Sequence, residues 1–146
     1  MSQSKITVQA TIDAPVATVW KVWNTPDDII KWNTADPGWH TPASKNDLRV
    51  GGRFRHRMEA KDGSFGFDFE GVYDTVDLYQ EISYTMDDGR RATTIFTEEG
   101  NRTHVATTFD AETQNDVEMQ KQGWQAIVNN FAKFTESNYN LTNQII

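Results

Sequence analysis

The sequence predicts an α+β protein in which an antiparallel sheet of about six to seven strands packs against one long C-terminal helix. Apolar residues recur at helical spacing between residues 115 and 137. Most of the chain before them alternates apolar and polar residues, as strands do, and turn residues separate the alternating runs. Two short helices are predicted directly after the first strand.

The chain begins with a strand and a pair of helices. Within Lys5–Ile12 every second residue is apolar, which places one face of a strand on the core. Asp13 is a common helix-capping residue and Pro15 suits a first helical turn, so a helix is predicted to start there. A break at residues 24–26 ends this helix, and a shorter one runs from Pro26 through Trp32.

Residues 33–47 are predicted to form an irregular crossing, that is, a connection with little regular secondary structure. This stretch holds two prolines, one glycine and many small polar residues, which are typical of loops. Trp39 and His40 are the only part of it in which we expect a strand, and a short one.

From residue 53 to residue 110 the pattern predicts consecutive antiparallel hairpins. Gly63, Gly89 and Gly100 each lie in a turn signal between alternating runs. The alternation also divides the strand residues into two faces. The face predicted to point inward includes Phe54, His56, Met58, Phe67, Phe69, Tyr73 and Tyr84.

The C-terminal helix, predicted over residues 115–137, carries one apolar stripe and one polar face. Gln125 and Asn130 lie on the polar face and are expected to meet solvent. Gly123 interrupts the helix, and a glycine there costs about 1 kcal/mol relative to alanine, so it predicts a space between helix and sheet. The stripe consists of Val117, Trp124, Ile127, Val128, Phe131 and Phe134.

The length and composition predict one domain over residues 1–146, with an ordered core at about residues 5–138. A net charge of -7 and the lack of a strong basic cluster argue against nucleic-acid binding. The chain has no cysteine, which fits a reducing cytoplasm, where we expect the protein to reside. It has no signal-peptide pattern and no apolar run long enough to enter a membrane.

No catalytic or cofactor motif is present in the sequence. The spacings of His40, His56 and His104 match no metal-binding signature, so no metal site and no cofactor are predicted. No serine lies in a nucleophile elbow, and no glycine pair belongs to a phosphate-binding loop. The carboxylates that could form a catalytic pair alternate outward, namely Glu59, Asp68, Glu70 and Asp74.

His56 is the one candidate catalytic residue, because the alternation places it inward between Phe54 and Met58. It could supply a hydrogen bond to a ligand, or act as a general base with a pKa tuned by its surroundings. The alternative is a core histidine whose ring is satisfied by a backbone group or a tyrosine. The second interpretation is favoured, because a lone inward polar group seldom proves catalytic.

One stretch resembles a known family motif, and other points agree with it in order along nearly the whole chain. Three other stretches agree with the same family: the opening Ile12 to Pro15, the strand that contains Gly71, and Gly123 with Trp124 in the last helix. The motif itself is Asp47-Leu48-Arg49-Val50-Gly51-Gly52-Arg53-Phe54. It resembles single-domain proteins similar to the C-terminal domain of the heat-shock protein 90 ATPase activator.

That family belongs to the START-like (SRPBCC) superfamily, whose helix-grip fold is shared with polyketide cyclases. The resemblance implies a curved antiparallel sheet that grips the C-terminal helix, with an elongated apolar cavity between them. The aromatic residues of this chain could fill that interior as a solid core, and the resemblance favours a partly hollow one. The residues predicted to line the cavity are Trp20, Trp23, Trp32, Phe54, His56, Met58, Phe67, Phe69, Tyr73, Tyr84, Trp124, Ile127, Val128 and Phe131.

Three functions follow as hypotheses. The first is binding of a small hydrophobic or aromatic molecule in the cavity, with Tyr73, Tyr84 or His56 as polar contacts. The second is a cyclase- or hydrolase-like enzyme acting on polyketide or aromatic substrates, which would need His56 as its acid or base. The third is a co-chaperone-like module whose partner is a heat-shock protein 90 type ATPase. A second copy of the chain also stays open as a partner.

Overall fold

Seven strands form one curved antiparallel sheet, a half-barrel that a long helix crosses. The structure is a computed structural model that describes the backbone of residues 4–145 and the side chains of residues 4–139. In chain order the elements are β1 (Lys5–Ile12), α1 (Val16–Asn24), α2 (Pro26–Trp32), β2 (Trp39–Asn46), β3 (Arg53–Ala60), β4 (Gly66–Asp77), β5 (Glu81–Met86), β6 (Arg91–Glu99), β7 (Arg102–Asp110) and α3 (Val117–Ile145).

The strand order, β1-β7-β6-β5-β4-β3-β2, follows from a run of consecutive hairpins. Each strand from β2 to β7 pairs with its neighbour in sequence, and the last strand, β7, also pairs with the first, β1. Helices α1 and α2 carry the chain from one edge of the sheet to the other. The predicted α+β architecture is therefore confirmed, including the two short helices and the long C-terminal one.

The predicted hairpin turns lie where glycine permits a backbone that other residues rarely adopt. Gly63, Gly89 and Gly100 have φ values of 78°, 92° and 68°. These are left-handed conformations, in which a Cβ atom would be strained. The turn residues therefore set the hairpin lengths, and the hairpins set the register of the sheet.

The strand expected at Trp39 and His40 is present, but the prediction of an irregular crossing was wrong for residues 41–46. β2 is an eight-residue strand that pairs with β3, and its register shifts between His40 and Ala43. Pro42 lies within that shift and cannot donate a backbone hydrogen bond. An edge strand with an irregularity tolerates such a residue, because only one of its sides is paired.

Two helix boundaries also differ from the prediction. α1 begins at Val16, with Pro15 as its N-cap and no side-chain capping bond, so Asp13 does not cap it. α3 begins at Val117 rather than at residue 115, and it continues to Ile145 rather than ending at residue 137. Residues 138–145 contain neither proline nor glycine, and an established helix extends readily at one hydrogen bond per added residue.

Gln125 and Asn130 lie on the face of α3 that was predicted to meet solvent, and both hydrogen-bond to backbone groups elsewhere in the protein. Gln125 Nε2 donates to the Gln9 carbonyl of β1 at 2.9 Å, and the Gln9 N–H donates back to Gln125 Oε1 at 3.2 Å. Asn130 Nδ2 donates to the carbonyl oxygen of Thr34, beyond α2. The Gln125 bonds satisfy backbone groups of Gln9 that the edge strand β1 leaves unpaired.

Aromatic contacts fix α3 at two further points. The Trp124 ring stacks on Phe109 of β7, with centroids 3.8 Å apart and planes 13° apart. Phe131 is fully buried and its ring lies 4.8 Å from Trp23 and 4.9 Å from Trp32. α3 is thus anchored to the β1–β7 side of the sheet and to the helix pair.

Replacing Gly71 by alanine should destabilise the fold. A Cβ at this position would lie 2.8 Å from the Phe54 ring and 2.7 Å from the carbonyl oxygen of Thr85. We expect the free energy of unfolding to fall by about 1–3 kcal/mol, the usual cost of overpacking, as measured by urea denaturation. Gly123→Ala is the matched control, because a Cβ there meets nothing within 4 Å. Equal stability of Gly71→Ala and wild type would contradict the close packing of Phe54 on Gly71.

Candidate functional site

A cavity of about 460 Å³ lies between the inner face of the sheet and α3. Strands β3 to β7 supply its floor, and Gly123 to Val128 of α3 cover it. Helices α1 and α2 contribute Trp23 and Trp32. The cavity exists because the backbone of α3 approaches one side of the sheet and the helix pair closely, while it stays farther from the middle strands β3 to β5.

Gly123 faces this space. A Cβ built on it would contact nothing within 4 Å, so the missing side chain enlarges the cavity rather than permitting a close contact. This finding agrees with the space that the sequence predicted at Gly123. The helix gives up some of its intrinsic stability at this position, since glycine is a weak helix former.

Most of the residues proposed from the sequence lie together in the cavity wall. Trp20 and Phe131 do not. Trp20 packs 5.1 Å from Phe96 and 5.9 Å from Tyr79, away from the cavity, and Phe131 is sealed in the core behind Trp23 and Trp32. The proposed residues that do line the cavity are Trp23, Trp32, Phe54, His56, Met58, Phe67, Phe69, Tyr73, Tyr84, Trp124, Ile127 and Val128.

Several lining residues were missed at the sequence level. Arg90 follows a turn, Glu112 lies in the loop before α3, and Gln120 belongs to the polar part of the helix. None of the three stands in an apolar stripe, so periodicity carries no signal for them. Only the closing of α3 over the sheet brings them to the cavity.

Most polar side chains in the wall already form hydrogen bonds with other groups of the protein. The Tyr73 hydroxyl donates to Asn46 Oδ1, and Asn46 Nδ2 donates to the Asn24 carbonyl at 2.8 Å. The Thr94 and Thr107 hydroxyls share a hydrogen bond of 2.8 Å. These pairs leave the wall poorer in free hydrogen-bonding groups than its composition suggests.

Gln120 behaves in the same way at the start of α3. Its Oε1 accepts from the Glu112 N–H at 2.9 Å, and its Nε2 donates to the Asn115 carbonyl at 2.9 Å. The Gln120 amide therefore ties the loop before α3 to the first turns of the helix. It shapes the cavity wall and offers little to a ligand.

His56 lies in the wall as a neutral ring. It stacks on Phe54 with centroids 5.2 Å apart, and its Nδ1 shares a 2.9 Å hydrogen bond with the Ser44 hydroxyl. The partner is thus a serine on the neighbouring strand rather than the backbone or a tyrosine. Burial lowers the pKa of His56 to about 4, so the imidazole is uncharged at neutral pH.

Tyr84 is the tyrosine of the wall whose hydroxyl has no partner among the described residues. Its ring packs edge-on against Phe54, with centroids 4.7 Å apart, and lies 6.4 Å from the ring of Tyr73. Burial raises the pKa of Tyr84, so its hydroxyl stays protonated and can donate a hydrogen bond.

The carboxylates on the polar strand face form ion pairs on the outer side of the sheet. Arg55 Nε meets Glu70 Oε1 at 3.0 Å, and Arg57 Nε meets Glu59 Oε2 at 2.8 Å. Neither carboxylate lines the cavity. Within residues 4–139, no three histidine, aspartate or glutamate side chains come together as a metal site would require. In the same part of the chain no helix is long and apolar enough to cross a membrane.

The half-barrel sheet, the long helix across it and the cavity between them define a START-like, helix-grip protein. Within that class the chain belongs to the family described as Activator of Hsp90 ATPase homolog 1-like protein, whose model matches residues 13–136. The resemblance noted in the sequence is thereby confirmed. A comparison with curated proteins finds no match.

Solved structures of similar proteins have the same architecture. An AHSA1-like protein from Aeromonas hydrophila is 46% identical over 92% of this chain and 94% of its own, with a TM-score of 0.86. A protein from Cytophaga hutchinsonii is 49% identical over 93% of this chain and 94% of its own, with a TM-score of 0.80. A more distant protein from Chromobacterium violaceum, 21% identical over 91% of this chain and 98% of its own, has a TM-score of 0.80 and supports the fold alone.

The low pKa of His56 predicts a stability that falls with acidification. Between pH 6.5 and about 4 the unfolded chain binds a proton at His56 that the folded protein does not bind, so acid favours unfolding. From pH 7 to pH 5 this site should remove about 2 kcal/mol from the free energy of unfolding. Guanidinium denaturation of wild type and His56→Gln at both pH values measures the difference.

The comparison with His56→Gln isolates this site from the other titrating groups. The variant should lose about 2 kcal/mol less than wild type between pH 7 and pH 5, while the gap between the two proteins stays constant above pH 7. An identical pH dependence of both proteins would contradict a desolvated, neutral His56.

Proposed function

We propose that this protein binds a small hydrophobic or aromatic molecule between its sheet and α3. The observation that carries this proposal is the cavity itself. Its volume of about 460 Å³ lies within the roughly 300–1,000 Å³ typical of small-molecule sites. Its wall is mostly aromatic and aliphatic, so a ligand would gain affinity chiefly from the apolar surface it buries.

The burial of the lining residues supports an orientation for the ligand. Ile82 and Val128 are 4% and 3% exposed and belong to the closed part of the cavity. Phe67 and Met119 also line it but are 40% and 59% exposed, which supports an entrance between the β3–β4 hairpin and the start of α3. The apolar body of a ligand would enter there and rest against the closed part.

A larger side chain at Gly123, which would fill part of the cavity, should weaken ligand binding. In Gly123→Leu a branched side chain occupies the space that now faces the sheet, so the affinity for the neutral apolar dye Nile red should fall by at least about tenfold. Fluorescence titration of the dye measures the affinity, and thermal unfolding verifies that the variant is folded. Gly123→Ala is the matched control, since a methyl group takes little of the volume.

Two results would count against the proposal. One is the absence of saturable dye binding to wild type, together with no ligand co-purifying in native mass spectrometry of detergent-free protein. The other is equal dye affinity of Gly123→Leu and wild type, which would place the dye elsewhere on the protein.

An enzyme on polyketide or aromatic substrates is a weaker alternative. It would use His56, the candidate acid or base that faces the cavity. With its pKa at about 4, His56 is a weak base, and its Nδ1 is already bonded to Ser44. Unchanged turnover of an identified substrate by His56→Ala would remove this alternative.

A co-chaperone role is supported by the family description, which names an activator of the Hsp90 ATPase. Under this alternative the chain would raise the ATP hydrolysis rate of a heat-shock protein 90 type ATPase. A coupled ATPase assay with and without the chain tests it, and an unaltered rate would exclude it. Binding of a small molecule ranks first, because the cavity is a feature of this chain's own residues.

A further inference from the structure

The hydrogen-bonding groups of the cavity wall that have no protein partner indicate which class of ligand the cavity could bind. Because Tyr73, Asn46, Thr94, Thr107 and Gln120 are all engaged with other protein groups, they have little to offer a ligand. Among the polar rings of the wall that contact Phe54, two keep an open position. These are the Tyr84 hydroxyl and Nε2 of His56, whose Nδ1 is taken by Ser44.

The two open groups belong to rings that both contact the Phe54 ring. Its centroid is 5.2 Å from that of His56 and 4.7 Å from that of Tyr84. The His56 ring is nearly parallel to Phe69, at 8°, whereas the Tyr84 ring is nearly perpendicular to Phe69, at 83°. A flat ligand lying over these phenylalanine rings would therefore have a hydroxyl donor and an imidazole nitrogen close to it.

The charges around the cavity argue against an anionic ligand. Arg90 is the one cation among its lining residues, and its Nε is already paired with Asp88 Oδ2 at 2.8 Å. Glu112 also lines the cavity, so the three charged groups sum to one negative charge. His56 adds none at neutral pH. A buried carboxylate without an unpaired cation is strongly disfavoured.

We propose that the cavity selects an uncharged aromatic molecule bearing a hydrogen-bond acceptor, such as a carbonyl oxygen, and that the Tyr84 hydroxyl donates to that acceptor. This inference rests on the proposed function and adds the chemical class of the ligand and the residue that selects it. A donor that faces a largely apolar cavity and has no protein partner favours ligands that accept a hydrogen bond from it over analogues of the same shape that leave it unpaired.

Three phenanthrene probes of matched shape test the inference by calorimetry. They are 2-ethylphenanthrene without an acceptor, the neutral 2-acetylphenanthrene with a carbonyl, and the anionic phenanthrene-2-carboxylate. Wild type should bind the acetyl compound about three- to tenfold more tightly than the ethyl compound, and the carboxylate most weakly. Tyr84→Phe should lose the preference for the acetyl over the ethyl compound.

Tyr79→Phe is the matched control, because Tyr79 packs on Trp20 outside the cavity and its variant should keep the wild-type preference. Tightest binding of the carboxylate would overturn the inference, as would a preference that survives in Tyr84→Phe. Equal binding of the ethyl and acetyl compounds would also overturn it and leave the proposed function standing. Failure of all three probes and of Nile red to bind wild type would overturn both.

Discussion

The anchoring of α3 at its edges is the constraint on which the cavity depends. Trp124 stacks on Phe109 on one side, and Phe131 is wedged against Trp23 and Trp32 on the other. Each aromatic contact of this kind contributes about 0.5–1.5 kcal/mol beyond the area it buries. Between these anchors the helix meets the central strands through side chains, such as Trp124, whose ring centroid lies 6.1 Å from that of Phe69. The space beneath α3 is therefore a consequence of how the helix is held.

The polar groups of the cavity wall are mostly bonded to other protein groups. Pairs such as Tyr73 with Asn46 and Thr94 with Thr107 satisfy each other and do not need a ligand or water. Breaking such a pair would leave a buried polar group unsatisfied, which costs about 1–3 kcal/mol. The pairs consequently keep the wall in one arrangement. The Tyr84 hydroxyl, which has no such internal partner, differs from them in this respect.

Periodicity predicted most of what lies on a regular face. The alternation in β3 and β4 correctly assigned Phe54 to one side of the sheet and Arg55 to the other, because successive strand residues point in opposite directions. Periodicity failed where a residue serves a long-range contact. Gln125 belongs to the polar face of α3, yet it bonds the backbone of Gln9, which is 116 residues away in the sequence. The part of β2 after His40 was missed, because Pro42 resembles a loop signal until its edge position is known.

The sequence alone determined the architecture, since the periods of strands and helices and the glycines of the turns are local properties of the chain. It also determined the family and the space at Gly123. Only the tertiary structure decided which inward residues line a cavity and which are sealed in the core, as Trp20 and Phe131 are. It likewise decided that Arg90 and Gln120 reach the cavity wall. The reason is that a residue's place in the cavity wall or in the core depends on contacts between elements that are distant in the sequence. The spacing of apolar residues along the chain does not specify those contacts.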